Sequence, residues 1–267
     1  MFDIITFGSA VIDVFVGTDV TEKKNFISYP AGAKILIKDL KFDVGGGGTN
    51  TAAAFSRLGF KTGCICKIGN DNNGKEILDL LKKEEIEFLG KIDKNEKTGY
   101  SVILDSRGGE RTILTYKGAN DKINFNEIDL NKIKSSWIYY SSLMGKSFEA
   151  QKKLAEIFVK RGCRLAFNPS SYLIKNKNLS SLLKLCEILI LNKEEAKMLT
   201  HEKDLLTGLH KLGPKIVVVT DKDRLISCFD GEKKYFLKPH EIKVVERTGA
   251  GDAFASGFVA GYMIKWN

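Results

Sequence analysis

Short apolar runs recur along this 267-residue chain with helix-patterned stretches between them, and that alternation constrains the fold more than any other feature. Ile4 to Phe7, Cys64 to Ile68, Leu165 to Phe167, Ile188 to Leu191 and Ile216 to Val219 are too short for core helices and read as buried strands. The intervening segments carry helix signals. Asn50 to Leu58 is Ala-rich and closes on Gly59, Asp71 or Asn72 can cap a helix through about Lys83, and Ser147 to Arg161 puts Leu154, Ile157 and Phe158 on one face. Strands separated by helices rejoin a sheet in parallel, with helices covering both faces. The fold class is therefore α/β.

Two segments break the rhythm. Residues 14 to 41 alternate apolar and polar residues without a helical period, and Tyr100 to Tyr116 reads as a hairpin turning at Gly108-Gly109. Together they predict a small antiparallel flap. Without an internal repeat, a low-complexity tract or a Pro-rich linker, the flap is expected as an insertion on one domain spanning residues 1 to 267.

Composition narrows the function. The formal charge is +9, yet only seven of the 42 basic residues are Arg, and the lysines are interspersed with acids, as in Lys82-Lys-Glu-Glu-Ile-Glu87. That pattern reads as solvated faces rather than a nucleic-acid surface, so no nucleic-acid partner is expected. Five scattered cysteines with no C-x-x-C pair suit a reducing compartment, and His201, His210 and His240 have no ligand-like spacing. The N-terminus reads as a strand bearing Asp3 instead of a basic leader, and no stretch approaches the roughly 18 apolar residues of a membrane span. A cytoplasmic protein without membrane contact is the expectation.

The most informative stretch is Glu246-Arg-Thr-Gly-Ala-Gly-Asp-Ala-Phe254, followed by small and apolar residues that predict a buried helix. Gly249, Ala250 and Gly251 at a helix start leave backbone N–H groups open to an anion, and the helix dipole adds positive potential. Asp252 beside such a site suits a base that takes a proton from an attacking hydroxyl; a glycine turn with an aspartate capping a core helix is the alternative. Gly45-Gly-Gly-Gly-Thr-Asn50 permits close backbone approach to a ligand, and Asn50 offers a polyol both donor and acceptor, although a flexible turn would look the same. It is neither a dinucleotide fingerprint nor a Walker loop, since Asn50 replaces the third glycine of the first and the Gly-Lys-Ser/Thr of the second is lacking.

Asn192-Lys-Glu-Glu195 follows directly on a strand. The spacing makes a capping box, and the same amide and carboxylate at a strand's C-terminal end could hold hydrated Mg²⁺. Asp13, five residues after Gly8, would face the same crevice and could accept hydrogen bonds from sugar hydroxyls, or serve only as a turn aspartate.

In order and spacing these elements resemble the ribokinase-like carbohydrate kinase family, also called the phosphofructokinase-B type. The likeness rests on Gly45-Gly46 with Asn50 and Leu58-Gly59, Lys67-Ile-Gly-Asn-Asp71 with Gly74, Thr98-Gly99, Gly118-Ala-Asn120, Asn192 with Glu195, and Thr248-Gly-Ala-Gly-Asp252. It implies an α/β/α sandwich with a small β-sheet lid, here residues 14 to 41 and 100 to 116. Further implications are an acceptor held by Asp13, Gly45, Gly46 and Asn50, and ATP near Asn192, Thr220, Thr248, Gly249 and Gly251. It also implies Mg²⁺ near Asn192 and Glu195, an anion hole at Gly249 to Gly251, and Asp252 as the base. The chain departs from the family pattern in three places. Thr220-Asp-Lys-Asp-Arg-Leu225 replaces a glycine-rich nucleotide loop, Glu246 stands where Asp is usual at a monovalent-cation site, and only 15 residues follow Asp252. The expected activity is phosphoryl transfer from ATP to a free sugar. A nucleoside acceptor and a catalytically silent sugar-binding protein are the alternatives, and a homodimer through the lid is a further expectation.

Overall fold

In the computed structural model, which describes residues 1–21, 26–106, 111–222, 224–241 and 248–265, the buried apolar runs assemble into a nine-stranded sheet. Its order is β15 (Lys234–Leu237), β14 (Leu225–Phe229), β13 (Ile216–Asp221), β12 (Cys186–Asn192), β11 (Arg164–Asn168), β10 (Ser135–Ser141), β1 (Phe2–Phe7), β4 (Thr62–Ile65) and β6 (Glu87–Phe88). All pairings from β13 to β6 are parallel, and β14 and β15 add on antiparallel at one edge.

Strand alternation divides the core in two. Ile4, Trp137, Tyr139, Ile188, Ile190 and Val218 face α1 (Gly47–Arg57) and α8 (Ala250–Lys265). Ile5, Phe7, Ile138, Tyr140, Leu189 and Val217 face α3 (Gly145–Lys160), α4 (Ser171–Asn176), α5 (Ser180–Leu183), α6 (Lys193–Leu199) and α7 (Leu205–His210). Both strand faces are thus buried, which is why these runs are continuously apolar. At about 25 cal/mol per Å² of apolar surface removed from water, this burial is the main force holding the layers together.

Helix α8 departs from expectation. Ala255, Ser256, Val259, Ala260 and Met263 are buried, but Gly251, Ala253, Gly257, Gly261 and Ile264 are exposed, so the helix is covered on one face only.

A second sheet has the order β3 (Asp39–Gly45), β2 (Val11–Gly17), β8 (Gly99–Asp105) and β9 (Arg111–Tyr116). It is mixed rather than antiparallel, because β2 pairs with β8 in parallel while β3 and β9 pair antiparallel with them. The reason is connectivity: α1, α2 (Asn72–Lys83) and the strands around them intervene between β2 and β8, and a long crossover allows parallel return. The expected turn at Gly108-Gly109 lies outside the described residues, and residues 27–38 form no regular strand. Ile12, Val14 and Val16 pack in one cluster with Ile77 and Leu81 of α2. The opposite face of β2 carries Asp13 beside Ser101 and Asp43.

The apolar run from Cys64 to Ile68 is two strands, not one. It breaks at Cys66, and β5 (Lys67–Gly69) leaves the main sheet to pair with β7 (Lys91–Asp93). Lys67 accounts for the departure, being 4% exposed and therefore in need of partners. Its Nζ lies 2.9 Å from carboxylate oxygens of both Asp93 and Glu127 and donates to the Lys122 carbonyl at 3.1 Å. Asp71 caps α2 as expected, accepting from Gly74 N at 2.9 Å and from the Thr98 hydroxyl at 2.6 Å.

Candidate active site

The glycine cluster is a fixed seat. Gly48 N donates to the Ser9 carbonyl at 2.9 Å and Gly47 N to the Ser9 hydroxyl at 3.2 Å, locking the start of α1 onto the β1–β2 loop. Asn120 locks the same loop from the other side, accepting from Ala10 N at 2.8 Å and donating to Ala10 O at 2.9 Å. Gly46 has φ +102°, which side chains rarely adopt. A Cβ on Gly45 would stand 1.9 Å from Asp13 Oδ2, and one on Gly47 would stand 2.6 Å from Ser141 Oγ and 3.7 Å from Asp252 Oδ1. Residues predicted separately from β2, from the glycine run and from α8 thus converge on one crevice.

Asp252 occupies the first turn of α8, where the helix dipole favours a negative charge. Asn50 Nδ2 donates to its Oδ2 at 2.8 Å across 202 residues of sequence. Burial raises the Asp252 carboxyl above its ordinary range, and the Asn50 hydrogen bond acts in the opposite direction. Asp13 is raised too, first by burial; Ser101 draws it down, and the charges of Asp43 and Asp252 push it up. Gly249 has φ +77°, so the turn requires glycine there. Gly251 has no such need: its φ is not positive, and a Cβ would meet no atom within 4 Å.

Asn192 and Thr220 lie side by side in register at the C-terminal ends of β12 and β13. The capping box is fully formed. Asn192 Oδ1 accepts from Glu195 N at 2.9 Å, and Glu195 Oε2 accepts from Asn192 N at 3.0 Å. The other carboxylate oxygen, Oε1, accepts from Ser171 N at 3.1 Å, tying α4 to α6. Burial raises the Glu195 carboxyl, while the backbone donors of Asn192 and Ser171 lower it. Each of these carboxylate oxygens has capacity for a second donor, such as a metal-bound water. No group of three or more His, Cys, Asp or Glu side chains that could hold a metal occurs among the described residues. The donor set fits an ion that keeps its waters and binds through phosphate, as Mg²⁺ does, and not an all-protein cage.

Arg111 of β9 donates to the Thr248 hydroxyl, joining the small sheet to the loop before α8. Glu246 lies outside the described residues. Three contributors escaped the sequence reading of the site: Ser141 under Gly47, Ser9 beneath α1, and Arg111. Only Ser141 had any signal, since it ends a buried strand on the side where α/β sheets bind ligands.

Comparison with known proteins agrees with this fold. The description "pfkB family carbohydrate kinase" fits residues 1–265. An uncharacterized sugar kinase of Archaeoglobus fulgidus is 31% identical over 78% of this chain and 85% of its own length. A 5-dehydro-2-deoxygluconokinase of Clostridium perfringens is 29% identical over 100% of this chain and 82% of its own length. Among solved structures, a putative ribokinase II of E. coli in complex with ATP and Mg²⁺ superposes with a TM-score of 0.83 at 18% identity, covering 100% of this chain and 88% of that one. A family match over nearly the whole chain and a relative above 30% identity agree, and the chain belongs to the pfkB family of carbohydrate kinases.

Proposed function

We propose that this enzyme transfers the γ-phosphoryl group of ATP to a hydroxyl of a free sugar, with Asp252 as general base. The observation that carries this reading is the convergence of the glycine seat and the Asp252 carboxylate on one crevice, where a Cβ on Gly47 would stand 3.7 Å from Asp252 Oδ1 and Asn50 donates to Oδ2 at 2.8 Å. N–H groups of Gly249, Ala250 and Gly251 at the helix start suit the charge of a transferring phosphoryl group.

Asp13, Gly45, Gly46 and Asn50 form the acceptor cradle in this reading. Asp252 Oδ1, on the Gly47 side, takes the hydroxyl proton as the oxygen attacks phosphorus and the ADP oxygen departs. Asn192, Thr220 and Thr248 line the nucleotide side. Bound Mg²⁺ would be held through water by Asn192 and Glu195 and would neutralise phosphate charge. The small sheet acts as a lid that excludes water, as its Arg111 contact to Thr248 suggests. Exposed Leu40, Phe42, Leu114 and Tyr116 on its strands favour a second copy of this chain as partner. Five thiols, none in a disulfide, agree with work in the reducing cytoplasm.

The test is single-turnover transfer at saturating Mg·ATP and sugar, with binding checked by calorimetry. Asp252→Asn is expected to lose about 10² to 10⁴ in rate while both ligands still bind. Near-normal transfer removes Asp252 from the mechanism, transfer to nucleosides alone replaces the sugar assignment, and a wild-type chain that binds sugar but never ATP identifies a silent binding protein.

A further inference from the structure

Asn50 sits on α1, on the acceptor side, yet its amide is spent on the base. Nδ2 donates to Asp252 Oδ2 at 2.8 Å, and a Cβ on Gly249 would lie 3.8 Å from the same nitrogen. The side chain therefore spans from the acceptor seat to the carboxylate and stands beside the anion-hole turn. Its backbone is equally fixed, because Asn50 N donates to the Gly46 carbonyl at 2.9 Å and the preceding glycines are bound to Ser9. A rigid donor on one oxygen leaves the two oxygens of Asp252 unequal. Oδ2 is held by the amide, whereas Oδ1 faces Gly47 and the acceptor seat.

We propose that Asn50 is a positioning residue for Asp252, turning Oδ1 toward the acceptor hydroxyl by holding Oδ2. This rests on Asp252 being the base, and it assigns Asn50 a task separate from binding the acceptor. Around the carboxylate, the other titratable groups described are Asp13 of β2, whose carboxyl the Asp252 charge raises, and the buried Tyr139 of β10, raised first by burial and then by Asp252. Neither supplies a compensating positive charge. Asn50 is the one hydrogen-bond donor acting on the Asp252 side chain among the described residues, opposing its burial. Its removal therefore makes ionisation harder, and ionisation is what proton acceptance requires.

The experiment compares wild type, Asn50→Ala, Asn50→Asp and Asp252→Asn by the pH dependence of single-turnover transfer, with acceptor affinity by calorimetry, melting temperature, and carboxyl ¹³C titration of Asp252 in the ligand-free protein. Asn50→Ala is expected to lower the transfer rate roughly 10- to 100-fold, as for a lost hydrogen bond to a charged group, and to move the acid limb and the Asp252 titration to higher pH. Asn50→Asp, nearly the same shape but adding a like charge, is expected to move both further. A weaker acceptor affinity with unchanged acid limb and titration would overturn the proposal and leave Asn50 as an acceptor ligand only. A lower melting temperature with unmoved titration would overturn it in favour of a structural pin. Asp252→Asn separates the two readings: normal turnover there defeats the base assignment itself, whereas a dead Asp252→Asn with an unmoved Asn50→Ala profile defeats this inference alone.

Discussion

The carboxylate of Asp13 fills the space that a side chain on Gly45 would need, with Oδ2 1.9 Å from the position of its Cβ. They are diagonal neighbours across the antiparallel β2–β3 pair, where Gly45 is in register with Val11 and Asp13 with Asp43, and both are among the residues proposed to hold the acceptor.

Gly45→Ala is therefore expected to displace Asp13 rather than merely crowd it. Acceptor affinity should fall at least tenfold while Mg·ATP affinity stays within twofold, and overpacking should cost about 1–3 kcal/mol of stability. Calorimetry with each ligand and denaturant unfolding check this. Equal loss for both ligands would mean that the change spreads beyond the acceptor seat.

Asp13, Asp252 and Glu195 all have carboxyls raised mainly by burial, so each binds protons more tightly folded than unfolded. Stability from such groups is fully present below the unfolded pKa and is lost as pH rises through the folded one. Asp13→Asn and Asp252→Asn are accordingly expected to melt at higher temperature than wild type at pH 7, by about 2–4 °C for each kcal/mol recovered. The advantage should vanish as pH falls below the ordinary carboxylate value of 3.8. Thermal unfolding across that range decides it, and an advantage that persists in acid would point to packing instead of charge.

Asn192→Ala and Glu195→Ala each remove a cap whose hydrogen bonds are in place, and a stability loss of about 0.5–2 kcal/mol is expected from either. If the pair also holds hydrated Mg²⁺, both variants raise the Mg²⁺ concentration needed for half-maximal turnover and leave acceptor affinity nearly unchanged. Melting temperature and a Mg²⁺ titration separate the two roles. A pure stability loss confines the motif to capping.

Much of this molecule was legible in the sequence because its signals are local. Continuous apolar runs such as Ile188 to Leu191 declare strands buried on two faces, and Asp71 and Asn192 declare helix starts by side-chain chemistry that acts within three residues. Spacing alone also carried the resemblance to carbohydrate kinases. The tertiary structure decided whatever depends on residues distant along the chain. It broke the run at Cys66, because Lys67 reaches Asp93 and Glu127, and it made the small sheet mixed, because a long crossover separates β2 from β8. It left one face of α8 exposed despite a sequence that reads as wholly buried. The same holds for the 2.8 Å bond from Asn50 to Asp252. No periodicity encodes a contact between residues 202 apart; it exists only because α1 and α8 pack on the same face of one sheet.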